Sequence, residues 1–255
     1  MTEIKPPPYH YGQYHANQHL DWLPTDTKEN YEKLIQDSEH RQYFAKLGWD
    51  QPGAITYKIN SHGFRSDEFD GGPYLVALGC SYTVGIGLPV EATWPYLVGQ
   101  ALGLKVANLA WGGYSIDTCF RLAEYWIPEL KPDLVIMLAP PRHRVELMLD
   151  QTQFDINKMP VEIFMPESQS SHFRKDDWYL KHWFLAEENA RINQTKNSLA
   201  IQQLCADLDI PCQVHKAENH MWWSREEIGY ARDYMHGGPK IHTIIAEIII
   251  DGCKK

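Results

Sequence analysis

Ser81 follows an apolar run, Tyr74-Leu-Val-Ala-Leu78, through the short link Gly79-Cys80. A serine at the tip of a buried strand can present its hydroxyl above a sheet edge. Glycine beside it lets the chain turn sharply and lets another group approach. A hydroxyl alone is a weak nucleophile; it needs a base, and the base needs a group that orients it. Asp233 and His236 are three residues apart and are followed by Gly237-Gly238-Pro239. They supply both types at the start of a C-terminal helix. Between them and Ser81 lies a loop, Gly112-Gly113, after Asn108-Leu-Ala-Trp111. Each feature has an ordinary structural role as well: a serine or aspartate caps a turn, and paired glycines let a helix pack closely. In this order, each placed after a strand or before a helix, they point together to nucleophilic acyl chemistry.

The whole chain narrows the choice. Its 255 residues suffice for one large domain or two small ones, and the formal net charge of −9 argues against a nucleic-acid partner, which needs a basic face. The first residues lack a basic stretch leading into an apolar one, and the longest apolar run, 244–250, is too short to span a bilayer and contains Glu247. Five scattered cysteines, Cys80, Cys119, Cys205, Cys212 and Cys253, do not form a disulfide framework. A reducing, cytoplasmic setting is the expectation. His215, His220, His236 and His242 match no metal-ligand spacing, and Gly85-Ile-Gly87 lacks the third glycine of a dinucleotide loop. No metal or cofactor is expected, and the sequence leaves the oligomeric state open.

Regular elements must hold these groups in place. Apolar runs predict strands at 74–78, 105–109, 134–138 and 211–215. Helical periodicity and capping residues predict helices at 93–102, closed by Gly103, at 115–127, stopped near Pro128, at 182–208 and at 239–250. Apolar strands alternating with helices imply an α/β fold of three layers, with a mostly parallel sheet covered on both faces. Ligands in such sheets bind beyond the carboxyl ends of the strands, so Ser81, Gly112-Gly113 and the stretch 140–144 should gather at one edge. Residues 1–70 are read as an arm and helix packed on a domain of residues 71–255. The arm, rich in Pro, Tyr, His and Gln, runs to about residue 26. One helix then runs from Asp26-Thr27 to Leu47, with Gly48 as its stop. A short strand at 54–59 and a polar turn at 60–66 follow. The stretch 150–180 breaks the alternation and reads as an insertion or lid over the crevice.

At these positions the chain resembles the SGNH/GDSL hydrolase family of serine esterases and lipases. The first block of that family corresponds to Gly79-Cys80-Ser81-Tyr82-Thr83, the second to Asn108-Leu-Ala-Trp-Gly-Gly113 and the last to Asp233-Tyr-Met-His236. The order is the family's own, and the resemblance spans roughly residues 74–250. It implies a flavodoxin-like SGNH hydrolase fold, with Ser81 as nucleophile, His236 as base and Asp233 as the carboxylate that orients it. It implies an oxyanion hole built from the N–H groups of Ser81 and Gly113. It also implies cleavage of a small-molecule or glycan ester, an acyl or acetyl group on a carbohydrate or lipid. Two positions depart from the family pattern. Cys80 stands where the family has Asp. The stretch Ala139-Pro-Pro-Arg-His-Arg144 lacks the Asn of the third block, which is a further oxyanion donor. Arg142 and Arg144 are candidates to donate instead, or to bind an acidic substrate group; equally, they can be solvated charges near Glu146. Tyr82, Gly112 and Trp223 complete the expected substrate wall. The missing Asn leaves two alternatives open: a catalytically weakened fold used for binding or structure, and an acyltransferase. The Gly-Cys-Ser-Tyr-Thr form and the 60–66 segment also resemble proteins of marine bacteria and their phages, which implies a virion-associated or cell-wall role as one setting.

Overall fold

The computed structural model describes residues 7–51, 53–150, 157–163, 186–216 and 229–254. The first elements among the described residues are a turn of 3-10 helix, Tyr11–His15, and a two-residue strand β1 (His19–Leu20). Two short helices follow, α1 (Lys28–Leu34) and α2 (Ser38–Leu47), and then β2 (Tyr57–Lys58), antiparallel to β1. The single helix expected over 27–47 is therefore broken. Asp37 explains the break: its carboxylate accepts from the backbone N–H of Glu39 and His40 at 2.8 and 3.1 Å. A side chain that satisfies the first amides of a new helix competes with continuation of the old one. Thr27 caps α1 through Asn30 N–H, and Gly48 ends α2 in the left-handed conformation. The strand expected at 54–59 is confined to Tyr57–Lys58.

The catalytic candidates sit on the elements that follow. These are β3 (Tyr74–Leu78), α3 (Ser81–Val84), α4 (Trp94–Leu102), β4 (Lys105–Asn108), α5 (Ile116–Leu130) and β5 (Leu134–Ala139). Next come a hairpin of β6 (Val145–Asp150) and β7 (Asn157–Ile163), then α6 (Glu187–Asp207), β8 (Cys212–Lys216) and α7 (Pro239–Cys253). The main sheet has the order β4-β3-β5-β8 and is parallel throughout. Strand order reverses at β3, since the chain leaves it for β4 on one side and returns to β5 on the other. A crevice opens at the carboxyl ends of the strands at such a reversal.

The residues of β3 and β5 are divided between two apolar layers. Leu75, Ala77, Leu134, Ile136 and Leu138 pack with Trp94 and Val98 of α4 and Ile241, Ile245 and Ile249 of α7. Val76, Leu78, Val135 and Met137 pack on the opposite face with Cys119, Leu122 and Trp126 of α5 and Ile201 and Cys205 of α6. Neighbouring side chains of a strand point to opposite faces, so a strand covered on both sides is apolar at every position. That is the three-layer α/β arrangement expected from the sequence. Each large aliphatic chain buried in it contributes roughly 1.5–3 kcal/mol. The amino-terminal segment joins the second layer through Leu23, Tyr31, Phe44, Tyr57 and Phe64.

Two further stretches add detail to the expectation. Helix α5 ends near Pro128, carrying it in its last turn and running to Leu130, with Lys131 N–H closing on Ile127 O at 2.9 Å. Proline has no N–H to bond to Glu124 O and its ring crowds that carbonyl, so the helix runs only two residues beyond it. Within the stretch 150–180, β7 pairs with β6, which ends at Asp150, in an antiparallel hairpin. Residues 151–156 and 164–185, which include the rest of that stretch and the expected start of the long helix at 182, lie outside the described residues.

Candidate active site

Ser81 opens α3 immediately after β3 and is almost completely buried. Being the first helical residue, its N–H has no partner within the helix. Thr83 N–H and Val84 N–H both bond to Cys80 O, which makes the chain turn tightly around the serine. Ser81 Oγ contacts Cys80 Sγ at 3.9 Å. Among the described residues no hydrogen bond joins Ser81 to His236.

Two buried side chains hold this turn in place. Asn108, the last residue of β4, donates to Thr83 O at 2.8 Å and accepts from Ala110 N–H at 3.2 Å. It thereby couples the serine turn to the loop that carries Gly112-Gly113. Gly113 has φ +92°, a left-handed conformation that favours glycine. A Cβ on Gly112 would lie 3.0 Å from Ile86 Cδ1, so this loop packs directly on the chain just beyond α3. Arg65 is the second clamp. Its guanidinium donates to the carbonyls of Val84, Gly85, Leu88 and Thr56 at 2.7–3.0 Å. Burial lowers its pKa to about 10 from 12.5, partly offset by Tyr57 beneath it.

Asp233 and His236 occupy a tight turn just ahead of α7, not the helix itself, which starts at Pro239. Asp233 Oδ1 accepts from the N–H of Met235 and of His236 at 3.0 Å each. Asp233 Oδ2 meets His236 Nδ1 at 2.6 Å. The carboxylate thus shapes the turn and orients the imidazole at once. Burial pushes the Asp233 carboxyl up, but the hydrogen bond from His236, the imidazole's charge and the Thr25 hydroxyl outweigh it and hold the carboxyl below its ordinary value. The turn is docked onto the segment beyond Ser81: Arg232 N–H donates to Gly87 O at 2.9 Å. A Cβ on Gly87 would lie 2.9–3.1 Å from Ala231 Cβ and from the backbone nitrogens of Arg232 and Asp233. Tyr82, next to Ser81, sets its ring edge-on to His236 at 5.4 Å and stacks on the buried His242 at 6.1 Å.

The amino-terminal segment reaches this turn directly. Thr25 Oγ1 donates to Asp233 Oδ2 at 2.7 Å, and Asn30 Nδ2 donates to both Thr25 O and Asp233 O at 3.1 and 3.0 Å. Behind them Arg232, fully buried, makes a two-pronged bond to Asp26 at 2.8 and 2.7 Å and lies over the Trp22 ring. Tyr57 OH donates to the same Asp26 carboxylate and accepts from Gly87 N–H at 2.8 Å.

Ser81, Tyr82, Gly112, Gly113, Asp233 and His236 are therefore carried by neighbouring segments at one edge of the sheet. Arg142 pairs with Glu187 at the start of α6, and Glu146 takes Arg121 as its partner. Arg144 closes a backbone turn on Pro141. Trp223 lies outside the described residues. Sequence reasoning passed over Thr25, Asn30, Arg65 and Arg232 as functional supports. The glycines at 85 and 87 were the available signal, since both admit close approach of other groups. Among the described residues no group of three or more His, Cys, Asp or Glu is arranged to hold a metal ion. No described helix is long and apolar enough to cross a membrane.

No family model matches the chain, and no curated protein matches it. Among solved structures it is similar to TesA, at 12% identity over 70% of this chain and 96% of that one, with a TM-score of 0.43. It is also similar to the psychrotrophic esterase EstA from Pseudoalteromonas sp., at 12% identity over 72% of this chain and 97% of that one, TM-score 0.36. A third is a catalytic mutant of Axe2, an acetylxylan esterase from Geobacillus stearothermophilus, at 15% identity over 71% of this chain and 94% of that one, TM-score 0.35. At such identities and scores the likeness carries no argument about activity, which has to come from the residues of this chain.

Proposed function

We propose that the chain is a serine esterase of the SGNH/GDSL kind. The observation that carries this reading is the Asp233–His236 pair, bonded at 2.6 Å and docked through Arg232 and Gly87 onto the segment that follows Ser81. Ser81 Oγ attacks the acyl carbonyl of an ester while His236 Nε2 takes its proton. The tetrahedral oxyanion accepts from the N–H groups of Ser81 and Gly113; losing one such donor typically costs about 2.7–4 kcal/mol of barrier. The imidazolium then protonates the leaving alcohol, leaving an acyl-Ser81. Water, deprotonated by the same imidazole, releases the carboxylic acid and restores the serine. Asp233 holds the tautomer and balances the imidazolium charge. Nucleophile and base tighten into hydrogen-bond contact when substrate binds; in a free enzyme this bond is often long. The substrate is an acyl or acetyl ester of a small molecule or glycan.

A fluorophosphonate probe should label the wild type and not Ser81→Ala. His236→Ala should remove nearly all p-nitrophenyl acetate turnover. A folded wild type that takes no label would favour a second reading, a binding or structural protein on the same fold. The stretch 139–144, which carries no Asn, is the observation behind that alternative.

A further inference from the structure

We infer that Thr25 is a positioning residue for the Asp233–His236 pair, supplied to the site by the amino-terminal segment through the hydrogen bond from its hydroxyl to Asp233 Oδ2. This rests on the esterase reading above. The same oxygen receives both His236 Nδ1 at 2.6 Å and Thr25 Oγ1 at 2.7 Å, so the hydroxyl fixes the one carboxylate atom that orients the imidazole. With Met235 and His236 N–H on Oδ1, the carboxylate is held on both oxygens and cannot rotate away.

The backbone at Thr25 shows what holds the hydroxyl there. Its φ is +75°, a region in which a β-branched residue is an outlier and glycine or asparagine is at home. Such strain persists only where the surroundings impose it, and it gathers at functional sites. Asn30 imposes it: its amide donates to Thr25 O and to Asp233 O, clamping the two segments at a fixed separation. The turn itself serves the fold equally well with glycine at position 25. The threonine is needed for its hydroxyl.

Thr25→Gly separates the two roles. It removes the hydroxyl, a loss that relief of the left-handed conformation offsets, so the variant should stay folded and unfold within a few degrees of the wild type. Its kcat on p-nitrophenyl acetate should fall about tenfold, the worth of one hydrogen bond to a charged group, with KM unchanged. Thr25→Ser, which restores the hydroxyl, should return kcat to within about twofold of the wild type. The Asp233 carboxyl, followed by carbon NMR through an acid titration, should titrate at higher pH in Thr25→Gly and return in Thr25→Ser. The inference is overturned if Thr25→Gly leaves the carboxyl midpoint where it was, or if Thr25→Ser fails to restore it. The carboxyl titration needs no turnover. If Ser81→Ala retains wild-type turnover, the esterase reading fails while the titration still decides whether Thr25 holds Asp233.

Discussion

Replacing Asp26 by alanine strips a charge from the least accessible ion pair among the described residues. Asp26 and Arg232 are 1% and 0% exposed on their side chains, and two hydrogen bonds of 2.8 and 2.7 Å join them. Without Asp26 the guanidinium stays buried with two backbone carbonyls, Asp21 O and Ile55 O, and the Trp22 ring as partners. An uncompensated buried charge of this kind typically costs about 3–5 kcal/mol. Tyr57 OH loses its acceptor as well, a further ~1–3 kcal/mol, while the surviving carbonyl and ring contacts recover part of the loss. The net expectation is a loss of about 4 kcal/mol, a large share of the 5–15 kcal/mol by which domains are stable. At roughly 2–4 °C per kcal/mol for a chain of this size, the midpoint of thermal unfolding should drop by about 8–16 °C. Calorimetry and urea titration of Asp26→Ala measure it directly. The double variant Asp26→Ala/Arg232→Met should recover part of the loss, because it removes the stranded charge. A loss below about 1 kcal/mol for Asp26→Ala, or a double variant as unstable as the two single losses summed, refutes the argument that the pair is dry and mutually dependent.

Gly87→Ala puts a methyl group into a left-handed position, where it meets Ala231 Cβ and the amides of Arg232 and Asp233 at 2.9–3.1 Å. It should cost at least about 1–2 kcal/mol in a urea titration and reduce turnover, since the Asp233–His236 turn must shift. Acid should destabilise the protein well above the carboxylate range. Burial lowers His10 to about 4 and His242 to about 3, from 6.5. Both are therefore depressed in the fold, so their contribution is complete above pH 6.5 and is lost as pH falls toward 4, while the unfolded chain takes up protons that the folded chain refuses. Unfolding free energies from urea titrations at pH 7, 6 and 5 should fall progressively, the slope approaching roughly 1.4 kcal/mol per pH unit for each histidine below 6.5, and His10→Gln should flatten the slope by about half. Arg142→Ala should change stability by less than about 1 kcal/mol, because its Glu187 partner is largely exposed. A large fall in kcat for Arg142→Ala would return this arginine to the oxyanion.

The parallel sheet was legible because β3 and β5 are buried on both faces, which leaves an unbroken apolar run in the sequence. The ends of α4 and the start of α5 were legible for an equally local reason: Thr93, Gly103 and Ser115 stand beside periodic stretches. The break at Asp37 was not, since a capping aspartate inside a polar helix face looks like any exposed acid. Neither were β6 and β7, which pair with each other outside the main sheet. Ser81, Asp233 and His236 could be picked out by type and order. Their supports could not. Thr25, Arg65 and Asn108 act on backbone groups or carboxylates far away in the chain, and no local spacing encodes a partner 208 positions distant.

That separation also sets when the site can exist. The hydroxyl of Thr25 leaves the ribosome long before Asp233 is made. At roughly 5–20 residues per second, the 208 intervening positions take about 10–40 s to synthesise. Throughout that interval Asp26 waits without Arg232, Tyr57 OH without a settled acceptor, and the Ser81 turn without the segment that docks on Gly87. The nascent chain thus carries its proposed nucleophile unarmed. Because the imidazole and the residues that brace its partner lie about 200 positions apart, assembly of the site is a late step, coupled to closure of that long loop.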